Sequence, residues 1–282
     1  MKPPIFIAGL PRSGTTWFAN VLRSARGVAY YHEPFNFANV PESIPFSLRY
    51  IRASDNDPAF EAYCRRCFAG NQRHKAVISG QRWWRRFLPF PTGRVMIKDV
   101  HSLLALDWIQ YHIGPQTALV LRHPFAVTQS WVRHGWNNEG MYARLLEQRQ
   151  AFEDFLAPFE QHLRAMQGDY FSRLGAYWGA CCYIALEYQK RHPGWIVIRH
   201  EDFLDDPATQ FRALCEKLGL EFDRNVQENL RRSNASGSDK PFVVRRRLED
   251  EKKKLWRLTS EQMQLVATAV APFGITAYSL DH

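Results

Sequence analysis

The chain has 282 residues, 45% hydrophobic and 23% charged, with 37 Lys and Arg against 28 Asp and Glu for a formal net charge of +9. That length buries a sizeable core, and that balance excludes a disordered or fibrous chain. The positive charge favours anionic partners, but no zinc-finger pattern, RNP-type stretch or basic-region heptad supports nucleic acid, so none is expected. No apolar run approaches membrane-spanning length, and Met1-Lys2-Pro3-Pro4 leads straight into a predicted strand. The expectation is a cytoplasmic chain without signal peptide or membrane span. The five cysteines, Cys64, Cys67, Cys181, Cys182 and Cys215, are odd in number and lack metal-ligand spacing as a set. Buried thiols are expected, with no disulfide framework and no metal.

The first element is a short apolar strand, Ile5-Phe6-Ile7-Ala8, ending in Gly9. It passes through Leu10-Pro11-Arg12-Ser13-Gly14 into helical apolar spacing at Trp17, Val21 and Leu22. Strand, tight loop and helix N-terminus is the arrangement that binds phosphate through free backbone N–H groups and the helix dipole. Ser13, Thr15 and Thr16 add hydroxyl donors, and Arg12 adds a cation. The Gly-x4-Gly spacing resembles a Walker A loop, but Thr15 stands where its lysine belongs.

A second strand, Gly27 to Tyr31, ends at His32-Glu33-Pro34. Pro34 disfavours helix at Glu33 and leaves a carboxylate at a strand end, where open α/β sheets carry their chemistry. Residues 41–92 predict short helices, then Gln81-Arg82-Trp83-Trp84-Arg85-Arg86-Phe87, whose rings and arginines either line an acceptor cleft or cover one another. Arg94 to His101 is a third strand with polar groups at its end, followed by a helix from Ser102 to about His112. Thr117 to Leu121 reads as a strand buried on both faces, ending in Arg122-His123-Pro124 before a helix through Ser130 and Arg133. Long helical stretches are predicted over roughly 141–167 and 170–191, then another buried-type strand, Trp195 to Ile198. A helix runs from about Pro207 to a stop at Gly219. Residues 232–254, with Arg245-Arg246-Arg247 and Lys252-Lys253-Lys254, read as a mobile basic loop, and a last helix spans about 259–271. The alternation predicts an α/β fold, a P-loop-like central parallel sheet flanked by helices. One domain is expected over 1–282, with acceptor-side helical insertions at 41–92 and 136–170.

Pro11-Arg12-Ser13-Gly14-Thr15-Thr16-Trp17 resembles the 5′-phosphosulfate-binding loop of sulfotransferases that use 3′-phosphoadenosine 5′-phosphosulfate (PAPS). Cytosolic members carry Lys at the position of Arg12; Golgi and many bacterial members carry Arg, as here. Arg122 and Ser130, eight positions apart, are similar to the family's 3′-phosphate-binding signature. Trp17 matches the residue that stacks on adenine. His200-Glu201-Asp202 through Asp206-Pro207 resembles the family's Tyr-Glu-Asp…Asp-Pro segment, with His200 in place of a tyrosine that contacts adenine. Arg245 and Arg246 are candidates for a basic loop that closes over the 3′-phosphate, although the family's Arg-Lys-Gly triplet is absent. The resemblance runs from residue 4 to about 220 and says little of 41–92 and 136–170.

It implies in-line transfer of a sulfuryl group from PAPS to a hydroxyl of a small molecule or glycan, leaving 3′,5′-ADP and requiring no metal. Such a reaction asks for cations on the leaving phosphate, donors around the sulfuryl oxygens and a base for the acceptor proton. The resemblance implies Arg12 and Lys98, in Ile97-Lys98-Asp99, as the cations. Two residues compete as base. Glu33 matches a carboxylate placed after the second strand in Golgi, tyrosylprotein and many bacterial members, whereas His101 sits three positions past Lys98, where cytosolic members have a histidine at two. That slip, with Arg12, favours Glu33. A P-loop nucleotide kinase is disfavoured by Thr15, and a catalytically dead nucleotide-binding module by the retained Arg12, Lys98 and Glu33. Acceptor and oligomeric state are not legible.

Overall fold

The computed structural model describes residues 2–79, 93–235 and 257–280. Its strands are β1 (Ile5–Gly9), β2 (Val28–His32), β3 (Arg94–Asp99), β4 (Gln116–Leu121) and β5 (Ile196–Arg199). They form one sheet in the order β2-β3-β1-β4-β5, parallel throughout. Between and after them come α1 (Thr15–Leu22), α2 (Pro58–Phe68), α3 (Lys75–Ile78), α4 (Leu106–Ile113), α5 (Pro124–Arg133), α6 (Glu139–Leu146), α7 (Arg149–Ala151), α8 (Glu160–Ala165), α9 (Tyr170–Arg191), α10 (Asp202–Asp205), α11 (Pro207–Lys217), α12 (Arg224–Ala235) and α13 (Ser260–Val270). The expected α/β architecture, a central parallel sheet flanked by helices, is observed.

Strand periodicity divides the core. Ile5 and Ile7 of β1 pack with Phe18, Met96, Val120 and Phe211 on one face, while Phe6 and Ala8 pack with Tyr31, Ile97, Leu119 and Trp108 on the other. Alternate side chains of a strand point to opposite faces, so a strand covered twice must be apolar without interruption. The largest buried helix, α9, starts at Asp169, whose carboxylate accepts from the Phe171 and Ser172 N–H groups at 2.8 Å. It packs along α13, and at Gly179 a Cβ would overlap the Phe273 ring.

Three expectations need correction. The stretch 141–167 is not one helix: α6 ends at Leu146, and α7, a π turn over Phe152–Leu156 and a 3₁₀ turn over Ala157–Phe159 precede α8. Pro158 lies in the first turn of that 3₁₀ segment and lacks the N–H that a continuous α-helix would need there. β5 is not buried on both faces: it is the edge strand beside β4, with Val197 exposed and only Ile198 buried. The helix after β3 opens with a 3₁₀ turn, Leu103–Ala105, before α4, which stops at Gly114 in the left-handed region. α12 was not foreseen. Its apolar anchors, Val226 and Leu230, sit in an otherwise polar stretch but pack four residues apart on the α1 side of the sheet.

Candidate active site

Because all strands run in parallel, their C-terminal ends share one edge, and every polar residue following a strand collects there. Gly9 lies opposite Val120, His32 opposite Lys98, and Leu121 opposite Arg199. The chain after β1 turns toward β2, and the chain after β4 runs on toward β5, so a topological switch point lies between β1 and β4. A cavity of about 1330 Å³ opens over this edge. Pro11, Arg12, Gly14, Thr15, Thr16, Trp17, Glu33, Lys98, His101, Arg122 and His200 all line it. Ser13 and Ser130 do not. The buried Ser13 hydroxyl donates to the Leu10 carbonyl at 2.7 Å, and Ser130 lies beneath Arg12. Arg245, Arg246 and the run 81–87 lie outside the described residues.

Thr15 and Thr16 occupy the first turn of α1, where backbone N–H groups have no intrahelical acceptor, and its N-cap, Gly14, brings no capping side chain. Gly14 has φ +90°, and a Cβ there would overlap the His200 ring. Arg12 also adopts a left-handed backbone, φ 72°. Its Nε donates to Ser130 Oγ at 2.9 Å, its carbonyl accepts from Arg122 Nη1 at 2.7 Å, and its guanidinium lies 5.1 Å from the Trp136 ring centre. The His134 Nδ1–H faces the Ser130 carbonyl at 2.7 Å, which leaves Nε2 as acceptor for Arg12 Nη2 at 3.3 Å. Burial and then Arg133 lower the Arg12 pKa, while Glu33 works the other way.

Glu33 has φ 43°, and its N–H donates to the Lys98 carbonyl at 2.7 Å. Lys98 Nζ, almost fully buried, donates to Glu33 Oε1, and Asn36 Nδ2 donates to Oε2 at 2.7 Å. Burial alone would raise the Glu33 pKa. Lys98, His32 and His101 outweigh it and hold the carboxyl at about 2. The buried Asp99 accepts from the Phe35 N–H at 2.9 Å, the His101 N–H at 2.6 Å and the Ser102 N–H at 3.0 Å, tying the turn after β2 to the turn after β3. Among the described residues, Arg12, Glu33 and Leu48 are the non-glycine positions with positive φ, and all three line the cavity. Such conformations cost on the order of 1–3 kcal/mol each and persist where surrounding structure over-determines them.

Trp17 is buried against Phe18, His200 and Phe211, with Nε1 donating to Ser233 Oγ at 3.1 Å. Burial and then Arg122 push the His200 imidazole well below its ordinary pKa, so it is neutral. Sequence reasoning missed Asn36, His134 and Arg144. His134 is four residues past Ser130, the helical spacing that puts both beneath Arg12, and that period was the available signal.

A model of the sulfotransferase family matches residues 3–224. The chain belongs to that family. Among solved structures, the sulfotransferase domain of the Synechococcus PCC 7002 olefin synthase is 14% identical, with TM-score 0.51 and 95% of each chain covered. The sulfotransferase domain from the curacin biosynthetic pathway is 14% identical, with TM-score 0.49 over 96% of this chain and 98% of that one. A Mycobacterium avium sulfotransferase, also 14% identical, has TM-score 0.45 over 95% of this chain and 75% of its own. At such identity the first of these likenesses speaks to the fold alone. No curated protein matches the chain by sequence.

Proposed function

We propose that this sulfotransferase uses PAPS as sulfuryl donor and transfers to the hydroxyl of a small molecule or glycan, with the base and loop chemistry of the Golgi-like and bacterial branch. The observation that carries the reading is the uncapped α1 N-terminus meeting Arg12, Lys98 and Arg122 around one cavity at the sheet edge. That donor set fits a nucleotide with several anionic groups: backbone N–H groups and two fork-shaped cations suit phosphate oxygens, and Trp17 and His200 offer ring surface beside them. PAPS, when bound, supplies an activated sulfuryl group on a good leaving phosphate.

This chain's residues do the rest. The acceptor oxygen bonds to sulfur as the bond from sulfur to the 5′-phosphate oxygen breaks, and the acceptor proton goes to Glu33. Arg12 and Lys98 offset the charge that develops on the leaving oxygen. Lys98 has a second effect. While paired to Glu33 it keeps that carboxylate a weak base, and any anion that draws the ammonium away raises Glu33's proton affinity. Deprotonation is thereby coupled to donor binding. His101 is half-buried at the cavity wall and edge-on to Phe37, which supports giving it a role on the acceptor side.

Calorimetry with 3′,5′-ADP against ATP plus magnesium tests the reading. Expected is tight 3′,5′-ADP binding that EDTA does not weaken. Preference for magnesium–ATP would overturn it in favour of phosphotransfer.

A further inference from the structure

Part of the cavity lining has no role in the donor chemistry. It comes from residues 36–48 after β2 and 136–144 leading into α6. Phe37 and Trp136 are large apolar side chains left 36% and 41% exposed, and both line the cavity with Leu48 and Met141. The Phe37 ring lies edge-on to His101 at 5.7 Å, and the buried His101 Nδ1 has no hydrogen-bond partner among the described residues. Exposed apolar surface gathered in a concave site with a few polar groups marks a ligand surface.

Arg144 of α6 belongs to the same part of the lining. Its Nη2 donates to the Ile44 carbonyl at 3.2 Å, which ties it to the segment between Phe37 and Leu48. Several other arginines near these segments face an acid: Arg49 has Asp57, Arg66 has Glu42, and Arg173 has Glu139. No described carboxylate pairs with Arg144. A guanidinium offers five N–H donors in a rigid fork suited to a carboxylate or a similar oxyanion. Arg12, Arg23, Lys98, Arg122 and Arg144 line the cavity against a single described acid, Glu33, which Lys98 already holds. The donor reading above already employs three of the cavity's cations, Arg12, Lys98 and Arg122, and gives Arg144 no role.

We propose that the acceptor carries its hydroxyl on an apolar body that also bears an anionic group, and that Arg144 reads the anion while Phe37, Trp136 and Met141 hold the body. This rests on the sulfotransferase reading above. A neutral acceptor would leave the remaining Arg144 donors without an anion. A cationic acceptor would meet repulsion from Arg144.

Three phenolic probes that differ in charge test this on the full chain saturated with 3′,5′-ADP: 3-(4-hydroxyphenyl)propanoate, its methyl ester and tyramine. Calorimetry is expected to rank acid over ester over amine, with the acid tighter than the ester by about ten- to a hundred-fold, as one charge-assisted hydrogen-bonded contact allows. Arg144→Gln should erase the gap between acid and ester, and Arg144→Glu should favour the amine. Equal binding of acid and ester, a gap that survives in Arg144→Gln, or no binding of the acid at millimolar concentration overturns the proposal. The ranking in the unmutated protein does not depend on how the variants fold. Should 3′,5′-ADP itself fail to bind, the donor reading falls, and the same probe series on nucleotide-free protein still measures what Arg144 selects.

Discussion

At the sheet edge, Arg12, Glu33, Lys98 and Arg122 hang from strand ends and are bonded to one another's elements: Arg12 to Ser130, Arg122 to the Arg12 carbonyl, Lys98 to Glu33. Elsewhere in the cavity lining, Phe37, Met141 and Arg144, with Trp136 beside Arg12, stand on segments outside the sheet, partly exposed and with few polar ties. The first region is rigid because neighbouring strands dictate where each side chain begins. The second is shaped by loops and a short helix, which can vary without disturbing the strands. The contrast suits a transferase whose donor chemistry is common to a family and whose acceptor is its own.

The largest expected effect is on chemistry at the rigid region. Glu33→Gln should lower turnover by about 10²–10⁴-fold with 3′,5′-ADP affinity nearly unchanged, as expected for a general base. Donor hydrolysis or transfer to a screened phenol reads the rate, and calorimetry reads the affinity. If His101→Gln abolishes turnover while Glu33→Gln keeps it, the proton-accepting role moves to the acceptor-side wall and the division drawn here breaks.

A smaller effect is expected from Arg122→Ala. Loss of a charged hydrogen bond, roughly 1.5–3 kcal/mol, should weaken 3′,5′-ADP by about ten- to a hundred-fold. Because Arg122 also holds the Arg12 carbonyl, 5′-AMP should weaken too, but less. Parallel titrations of both ligands decide it. Equal losses would mean that Arg122 only shapes the loop.

The smallest effect is on stability. The Glu33 carboxyl is depressed from its ordinary 4.5 to about 2. A depressed carboxylate stabilises the fold fully above its unfolded pKa, and that contribution fades as pH falls through the folded value. The melting-temperature advantage of the wild type over Glu33→Gln should therefore hold down to pH about 4.5 and close as pH approaches about 2. A gap that does not change over that window would show that the Lys98 pair contributes nothing to the fold.

Local sequence carried much of this protein on its own. The uninterrupted apolar runs at 5–8 and 117–121 could satisfy only a sheet covered on both faces, and Gly9, Gly14 and Pro34 mark backbone turns wherever they occur. Those are short-range properties, so the parallel α/β sheet and the polar residues at its strand ends were legible. What the fold alone decided are relations between distant segments. That Trp195–Ile198 is an edge strand depends on its having a neighbour on one side only. That Lys98 neutralises Glu33, and that Ser130 and His134 brace Arg12, depends on side chains 65 to 122 positions apart meeting at one edge. The broken helix at 146–160 obeys Pro158 and its packing rather than its apolar period. Arg144 belongs partly to each. Arg149 and Arg164 pair with glutamates four positions away, whereas Arg144 has Gly140 and Gln148 at those spacings, so the chain itself shows that it lacks such a helical partner; that it lines the cavity with no described acid beside it is decided only by the tertiary structure.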